Sequence, residues 1–167
     1  MKYTIGLDYG TNSVRCVIVD IANGSEVGTA VYNYPTGQAG IILDKNDHNL
    51  ARQNPADYVK GIEATVKKAI QQAKKTVKKF DASQIIGIGI DTTGSTPLPV
   101  DNNGTPLAML PEFKKNKNAQ AWLWKDHTGY AEAAEITELA KKEHPEYLAK
   151  CGQVYSSEWF FSKILHC

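Results

Sequence analysis

Cysteine is scarce: only Cys16, Cys151 and Cys167 occur, at no spacing that builds a zinc site and in no even number for a disulfide framework. No apolar run is long enough to cross a bilayer, and no charged-then-apolar leader opens the chain. Neither sign of charge dominates. Nineteen Lys and Arg stand against 18 Asp and Glu, so the net charge of +1 gives no long-range field for nucleic acid or an anionic membrane surface. Internal repeats and low-complexity tracts are missing too. Together these absences set aside metal-finger, disulfide-scaffold, membrane and nucleic-acid classes, and the expected location is the cytoplasm.

What is present describes a globular α/β chain: 167 residues, 42% hydrophobic and 22% charged, enough for an ordinary core. Residues 2–8, 14–20 and 26–34 read as three β-strands in an antiparallel meander, with Asn23-Gly24 turning between the second and third. Residues 35–53, rich in Gly, Asn, Asp and Gln, read as an irregular excursion with a short strand at 40–43. Asn54-Pro55 with Asp57 signals a helix start. Ile62, Val66, Ala69, Ile70, Ala73, Val77 and Phe80 then recur at helical spacing. Lys60, Lys67, Lys68, Lys74, Lys75, Lys78 and Lys79 fall on the polar positions of that helix, a solvated face.

The continuously apolar residues 85–90 predict a central strand covered on both faces. Residues 96–100 and 105–110 flank a turn at 101–104 and predict a hairpin; a helix is expected over 128–143, broken by Pro145. The last segment begins as an amphipathic helix with a serine available as N-cap. Its bulky residues Trp159, Phe160, Ile164 and Leu165 have little chain after them to supply a cover. The expectation is that the 167 residues are the front piece of a longer protein.

Three segments carry chemistry. In the first, Asp8 closes a strand, Gly10 permits a positive φ, and Thr11, Asn12 and Ser13 offer hydroxyl or amide groups. Successive N–H groups in such a turn form an anion-binding nest. A carboxylate beside a phosphate makes sense when Mg²⁺ or its waters lie between them, and Arg15 adds a planar cation that neutralises charge or anchors the loop. A plain hairpin with a polar tip is the alternative. Other phosphate motifs fail: no Walker lysine follows a glycine, and Gly87 and Gly89 lack the third glycine of a dinucleotide fingerprint.

The second segment, with Gly94, Ser95 and Thr96, follows the apolar strand 85–90. Strand carboxyl ends in α/β sheets favour ligands, and small hydroxyl-bearing residues suit a polyol or a phosphate; a self-capped turn is the plain alternative. The third holds Trp122, Trp124 and Asp126: an indole face beside a carboxylate can hold a sugar, or a buried Trp can precede a capping Asp. His127 has no identifiable partner in the sequence and is given no general-base role.

In this order and separation, the segments resemble the FGGY family of carbohydrate kinases. Residues 6–15 are similar to that family's first phosphate motif, shared with the wider sugar-kinase, actin and chaperone ATPase superfamily. Residues 87–101, 123–128 and 155–159 are more specific. Many relatives carry Trp-x-Asp-x-Arg, whereas Thr128 stands where that Arg would be, which favours the branch that acts on L-ribulose over those for xylulose or glycerol. The resemblance spans essentially the whole chain.

It implies a ribonuclease H-like α/β fold: a mixed sheet of meander then parallel strands, flanked by helices, with residues 1–167 forming part of the first, sugar-binding domain. It implies ATP and Mg²⁺ as cofactors, transfer of the γ-phosphoryl group to a ketose, and a small-molecule sugar as partner, with self-association left open. Asp8, Gly10, Thr11, Asn12, Ser13 and Arg15 would face the ATP phosphates, Asp8 reaching Mg²⁺ through water. Gly94, Ser95, Thr96, Trp124 and Asp126 would line the sugar site, with Glu158 beside it. The catalytic base, an aspartate, and the second, nucleotide-binding domain are expected beyond Cys167, leaving the 167 residues inactive alone. Rival readings are a kinase for another ketose or polyol, an actin- or chaperone-like ATPase module, and a non-catalytic sugar-binding remnant.

Overall fold

Alternating side chains on the first three strands decide how the sheet is covered. The structure, a computed structural model, describes residues 1–167. Strands β1 (Tyr3–Tyr9), β2 (Ser13–Asp20) and β3 (Glu26–Asn33) form the expected antiparallel meander, and β6 (Ile85–Thr92) joins β1 in parallel, giving the order β3-β2-β1-β6. Between them, β4 (Ile42–Leu43), β5 (Ala51–Gln53) and the later β7 (Ala121–Trp122) make a second sheet in the order β4-β5-β7. The strand expected at 40–43 is therefore present but shorter. The excursion also carries β5, too brief for an alternation signal.

Helix α1 (Pro55–Thr76) starts on its proline, with Asp57 in the first turn and Lys74 and Lys75 in the last, favourable placements at both dipole ends. Its apolar stripe packs on Tyr3, Ile5, Leu7, Cys16, Ile18 and Val27, with Ala69 and Ala73 fully buried. Each large side chain so buried stabilises the fold by about 1.5–3 kcal/mol. The helix lies close to β3 because position 28 is glycine: a Cβ there would stand 2.2 Å from the Ala69 carbonyl oxygen. The seven lysines are exposed, as expected.

Strand β6 departs from expectation. It is an edge strand, and Ile86, Ile88 and Ile90 are 58–64% exposed. The stripe of α1 reaches across β1, β2 and β3 but takes in only Ile85 of β6. A continuous apolar run records that both faces tolerate burial; the cover itself must come from other elements.

The chain divides into two contact units, Met1–Gly40 with Ala56–Thr93, and Ile41–Pro55 with Gly94–Cys167. In the second unit the predicted hairpin reduces to one bridge, Val100 to Pro106, followed by a 3-10 turn at Leu107–Met109. Pro106 in the returning arm removes a ladder donor. Helix α2 (Tyr130–Glu143) matches expectation and α3 (Pro145–Ala149) restarts on the proline. Helix α4 (Phe160–His166) is capped at Trp159 without a side-chain hydrogen bond, so the expected serine N-cap is not used. Its buried residues are Ser162 and Lys163, while Phe160, Phe161, Ile164 and Leu165 remain 47–64% exposed. Phe160, Ile164 and Leu165 are thus uncovered, as expected, whereas Trp159 is part-buried with its ring 5.0 Å from that of Tyr155.

Candidate functional site

The first unit presents the Asp8 turn. The Gly10 N–H donates to the Ser13 carbonyl at 3.0 Å, and the Tyr34 N–H donates to the Asn12 carbonyl at 2.9 Å. The Asn12 side-chain amide donates to the Ala39 carbonyl at 2.7 Å, fastening the turn to the loop beyond β3. Gly10 does not adopt a positive φ, contrary to expectation. Thr11 and Asn12 complete the bend with ordinary backbone, so the glycine is not needed for a left-handed conformation. Ser13 is buried.

Asp8 points to the sheet face opposite α1. Register places it between Arg15 on β2 and Asp91 on β6. The Arg15 guanidinium donates to the Asp8 carboxylate at 3.1 Å, and both side chains remain open to solvent, at 63% and 43% exposed. Beside them Gly6 and Gly89 face each other across the strands and leave the sheet surface bare. The resulting open groove, about 620 Å³, is lined by Asp8, Arg15, Gly6, Gly89 and Asp91 among others.

No cluster of three or more metal-ligating side chains occurs. The donor set at the groove is a solvent-open carboxylate, Asp8, with Asp91 next to it. That fits a hard cation held by one or two carboxylates, waters and phosphate oxygens, the usual arrangement for Mg²⁺.

The second unit presents the hydroxyl-bearing loop and the Trp-Asp segment. Ser95 takes a left-handed φ of 52°, a costly conformation for a residue other than glycine or asparagine. A Cβ at Gly94 would meet nothing within 4 Å, so that position is open, and the Thr96 hydroxyl donates to the Gly94 carbonyl at 3.4 Å.

The two tryptophans divide their roles. Trp122, on β7, is 1% exposed; its indole N–H donates to the Asn118 carbonyl at 3.0 Å. The guanidinium of Arg52, on β5, stacks 3.5 Å from its ring centroid. Trp124 keeps 39% of its surface exposed.

Asp126 is fully buried. It forms an ion pair with Arg52, and accepts from the Ala51 N–H at 2.7 Å, the Thr128 N–H at 3.1 Å and the Thr128 hydroxyl at 2.5 Å. Arg52 also donates to the Thr128 hydroxyl at 3.2 Å, and burial pulls its guanidinium down to about 10. The cation that Thr128 does not supply therefore arrives from β5. In this arrangement Asp126 has no exposed oxygen to offer a ligand.

His127, without an identifiable partner in the sequence, has two in the structure. Its Nδ1 lies 2.8 Å from the Ser157 hydroxyl and its Nε2 lies 3.6 Å from Glu158, which leaves Glu158 part-exposed beside it. Arg52 and Lys163 are the groups that sequence reasoning missed. Arg52 lies in a stretch read as irregular, and Lys163 in a helix read by its apolar residues alone.

Comparison with known proteins identifies the family and the fold. The description "FGGY family of carbohydrate kinases, N-terminal domain" matches residues 3–164. A ribulokinase of Vibrio parahaemolyticus is 44% identical over 97% of this chain, and one of Shouchella clausii 40% identical over 98%. The chain spans only 28–29% of those relatives' length. A xyloylose kinase structure from Brucella ovis superposes with a TM-score of 0.70 at 22% identity, covering 97% of this chain and 28% of that one. The xylulose kinase of Bifidobacterium adolescentis gives 0.64 at 15% identity, covering 98% and 28%. These two likenesses bear out the sugar-kinase fold. With the family description matching from β1 into α4, the chain belongs to the FGGY family of carbohydrate kinases.

Proposed function

We propose that the chain is part of the sugar-binding domain of an ATP-dependent kinase that phosphorylates L-ribulose at a terminal hydroxyl, in the cytoplasm. The observation that carries the reading is one sequence holding both the Asp8–Arg15 turn on an open sheet face and ribulokinase-like identity along its length. The proposal concerns the whole protein, whose second domain would hold the nucleotide base and whose catalytic aspartate would accept the sugar proton.

Within this chain, Asp8, Gly10, Thr11, Asn12, Ser13 and Arg15 serve the ATP phosphates. Arg15 holds Asp8 in place and adds positive charge to the groove. Mg²⁺, when bound at Asp8 through water, supplies neutralisation of phosphate charge. Gly94, Ser95 and Thr96 offer a small, polar surface for the sugar, Trp124 an indole face for its C–H groups, and Glu158 an acceptor. Asp126 contributes from beneath, by fixing the segment that carries Trp124. Catalysis in this class rests on positioning and charge neutralisation.

The test is a coupled ADP assay of the complete protein with L-ribulose, D-xylulose and glycerol. L-Ribulose should give the highest kcat/KM, and Asp8→Ala should lower kcat far more than it raises the sugar KM. A protein that prefers glycerol, or an Asp8→Ala variant with unchanged kcat, overturns the assignment.

A further inference from the structure

Helix α4 contributes one charged group to the interior, and it is placed where no carboxylate meets it. Lys163 is fully buried. Its ammonium donates to three backbone carbonyls: Ser95 at 2.8 Å, Leu123 at 2.7 Å and Trp124 at 3.0 Å. An ammonium has three donors and no acceptor, so this set uses it completely.

Burying a charge without an ion-pair partner is expensive, and a methionine of similar shape would fill the same space at lower cost. What the ammonium adds is geometry. Its three bonds join the left-handed residue of the 94–96 loop to the two residues that set the direction of the Trp124 side chain. Close packing keeps the helix in place, since a Cβ on Gly129, just before α2, would stand 2.8 Å from the Ser162 carbonyl oxygen.

We propose that Lys163 is the positioning residue of the sugar site, its ammonium fixing the backbone of Ser95 relative to that of Leu123 and Trp124. This rests on the reading of those two segments as sugar-binding. Removing the lysine leaves every proposed sugar contact in the sequence but frees the two segments to move independently. Burial pulls the ammonium down to about 8; Glu158 acts to raise it and Arg52 to lower it.

The experiment compares the complete protein with its Lys163→Met and Lys163→Arg variants. Hydrogen exchange is followed over residues 93–97 and 122–126, with residues 62–73 of α1 as internal reference, and pentulose binding is followed by calorimetry. Hydrogen bonds from a charged donor predict that Lys163→Met speeds exchange in both segments on the order of tenfold and weakens L-ribulose binding on the same order. The α1 reference should not move, and Lys163→Arg should recover part of both losses.

Unchanged exchange in the two segments overturns the clamp whatever the sugar does. Faster exchange with unchanged L-ribulose affinity overturns the positioning role and leaves the proposed function standing. A complete wild-type protein that binds no pentulose removes the sugar reading, and the positioning role with it. Should Lys163→Met fail to fold, the wild-type protein supplies its own readout, a lysine ammonium resonance shielded from solvent exchange and missing in Lys163→Arg; absence of that resonance overturns the proposal.

Discussion

Truncating Asp126 to alanine tests the internal framework of the second unit most sharply. The carboxylate is fully buried, pairs with an Arg52 that is 1% exposed, and accepts three further hydrogen bonds. Its removal leaves a guanidinium in the interior with no counter-charge, a loss of about 3–5 kcal/mol. The Ala51 and Thr128 donors are stranded as well, at about 1 kcal/mol each if they acted independently, though groups sharing one acceptor do not add fully. We therefore expect about 4 kcal/mol, which for a chain of this size lowers Tm by roughly 10 °C.

Urea denaturation followed by tryptophan fluorescence and by far-UV circular dichroism measures the loss. Arg52→Met should cost less, because Asp126 keeps its three other donors. The double variant Arg52→Met/Asp126→Leu should recover much of the stability, since removing both charges removes the stranded one. An Asp126→Ala loss below about 1 kcal/mol, with a double variant no better than the singles, would refute the buried-pair argument. Loss of sugar affinity without loss of stability would instead make Asp126 a ligand group.

Gly28→Ala should push α1 off β3, costing about 1–3 kcal/mol in a denaturant titration, since the obstacle is the Ala69 carbonyl and not a flexible side chain. Asp8→Asn should change stability by under about 1 kcal/mol, because its ion pair with Arg15 is solvent-exposed, while weakening Mg²⁺-nucleotide binding measured by calorimetry on the complete protein. Ile88→Thr on β6 should cost less than about 0.5 kcal/mol in the 167-residue chain, because the side chain is 62% exposed; a core-sized loss would show that something covers it. Lys163 is held near 8, below its ordinary 10.5, so the unfolded chain binds its proton more tightly. The stability difference between wild type and Lys163→Met should therefore shift in favour of wild type as pH rises from 8 to 10.5, by up to about 1.4 kcal/mol per pH unit. Over the same range L-ribulose binding should weaken as the amine loses a donor; a flat difference across this window would contradict the burial.

Local signals read directly from the chain were those whose cause is itself local. The meander followed from three β-forming runs with Asn23-Gly24 between the last two, α1 from Asn54-Pro55 and a stripe at helical spacing, and the end of α2 from Pro145. The Asp8 turn was legible because a carboxylate, a glycine and hydroxyls within six residues are dictated by one short bend. The wrong inferences were of another kind. Residues 85–90 carry the composition of a covered strand, yet cover depends on how far α1 extends across the sheet. The arms at 96–100 and 105–110 flank a turn, yet pairing shrinks to one bridge.

The sequence by itself determined the three-stranded meander, α1 with the polarity of its two faces, and α2. The tertiary structure decided which side chains of the three candidate segments face outward. Trp122 and Trp124 are two residues apart and chemically identical, and contacts from distant residues, Arg52 stacked on its ring and His166 at its edge, help make Trp122 core while Trp124 stays partly exposed. Nothing near Asp126 or Lys163 in the sequence marks their partners, which are remote: Ala51 lies 75 residues from Asp126, and Leu123 lies 40 residues from Lys163. Long-range contacts of this sort satisfy buried charges one pair at a time, so no periodicity along the chain announces them.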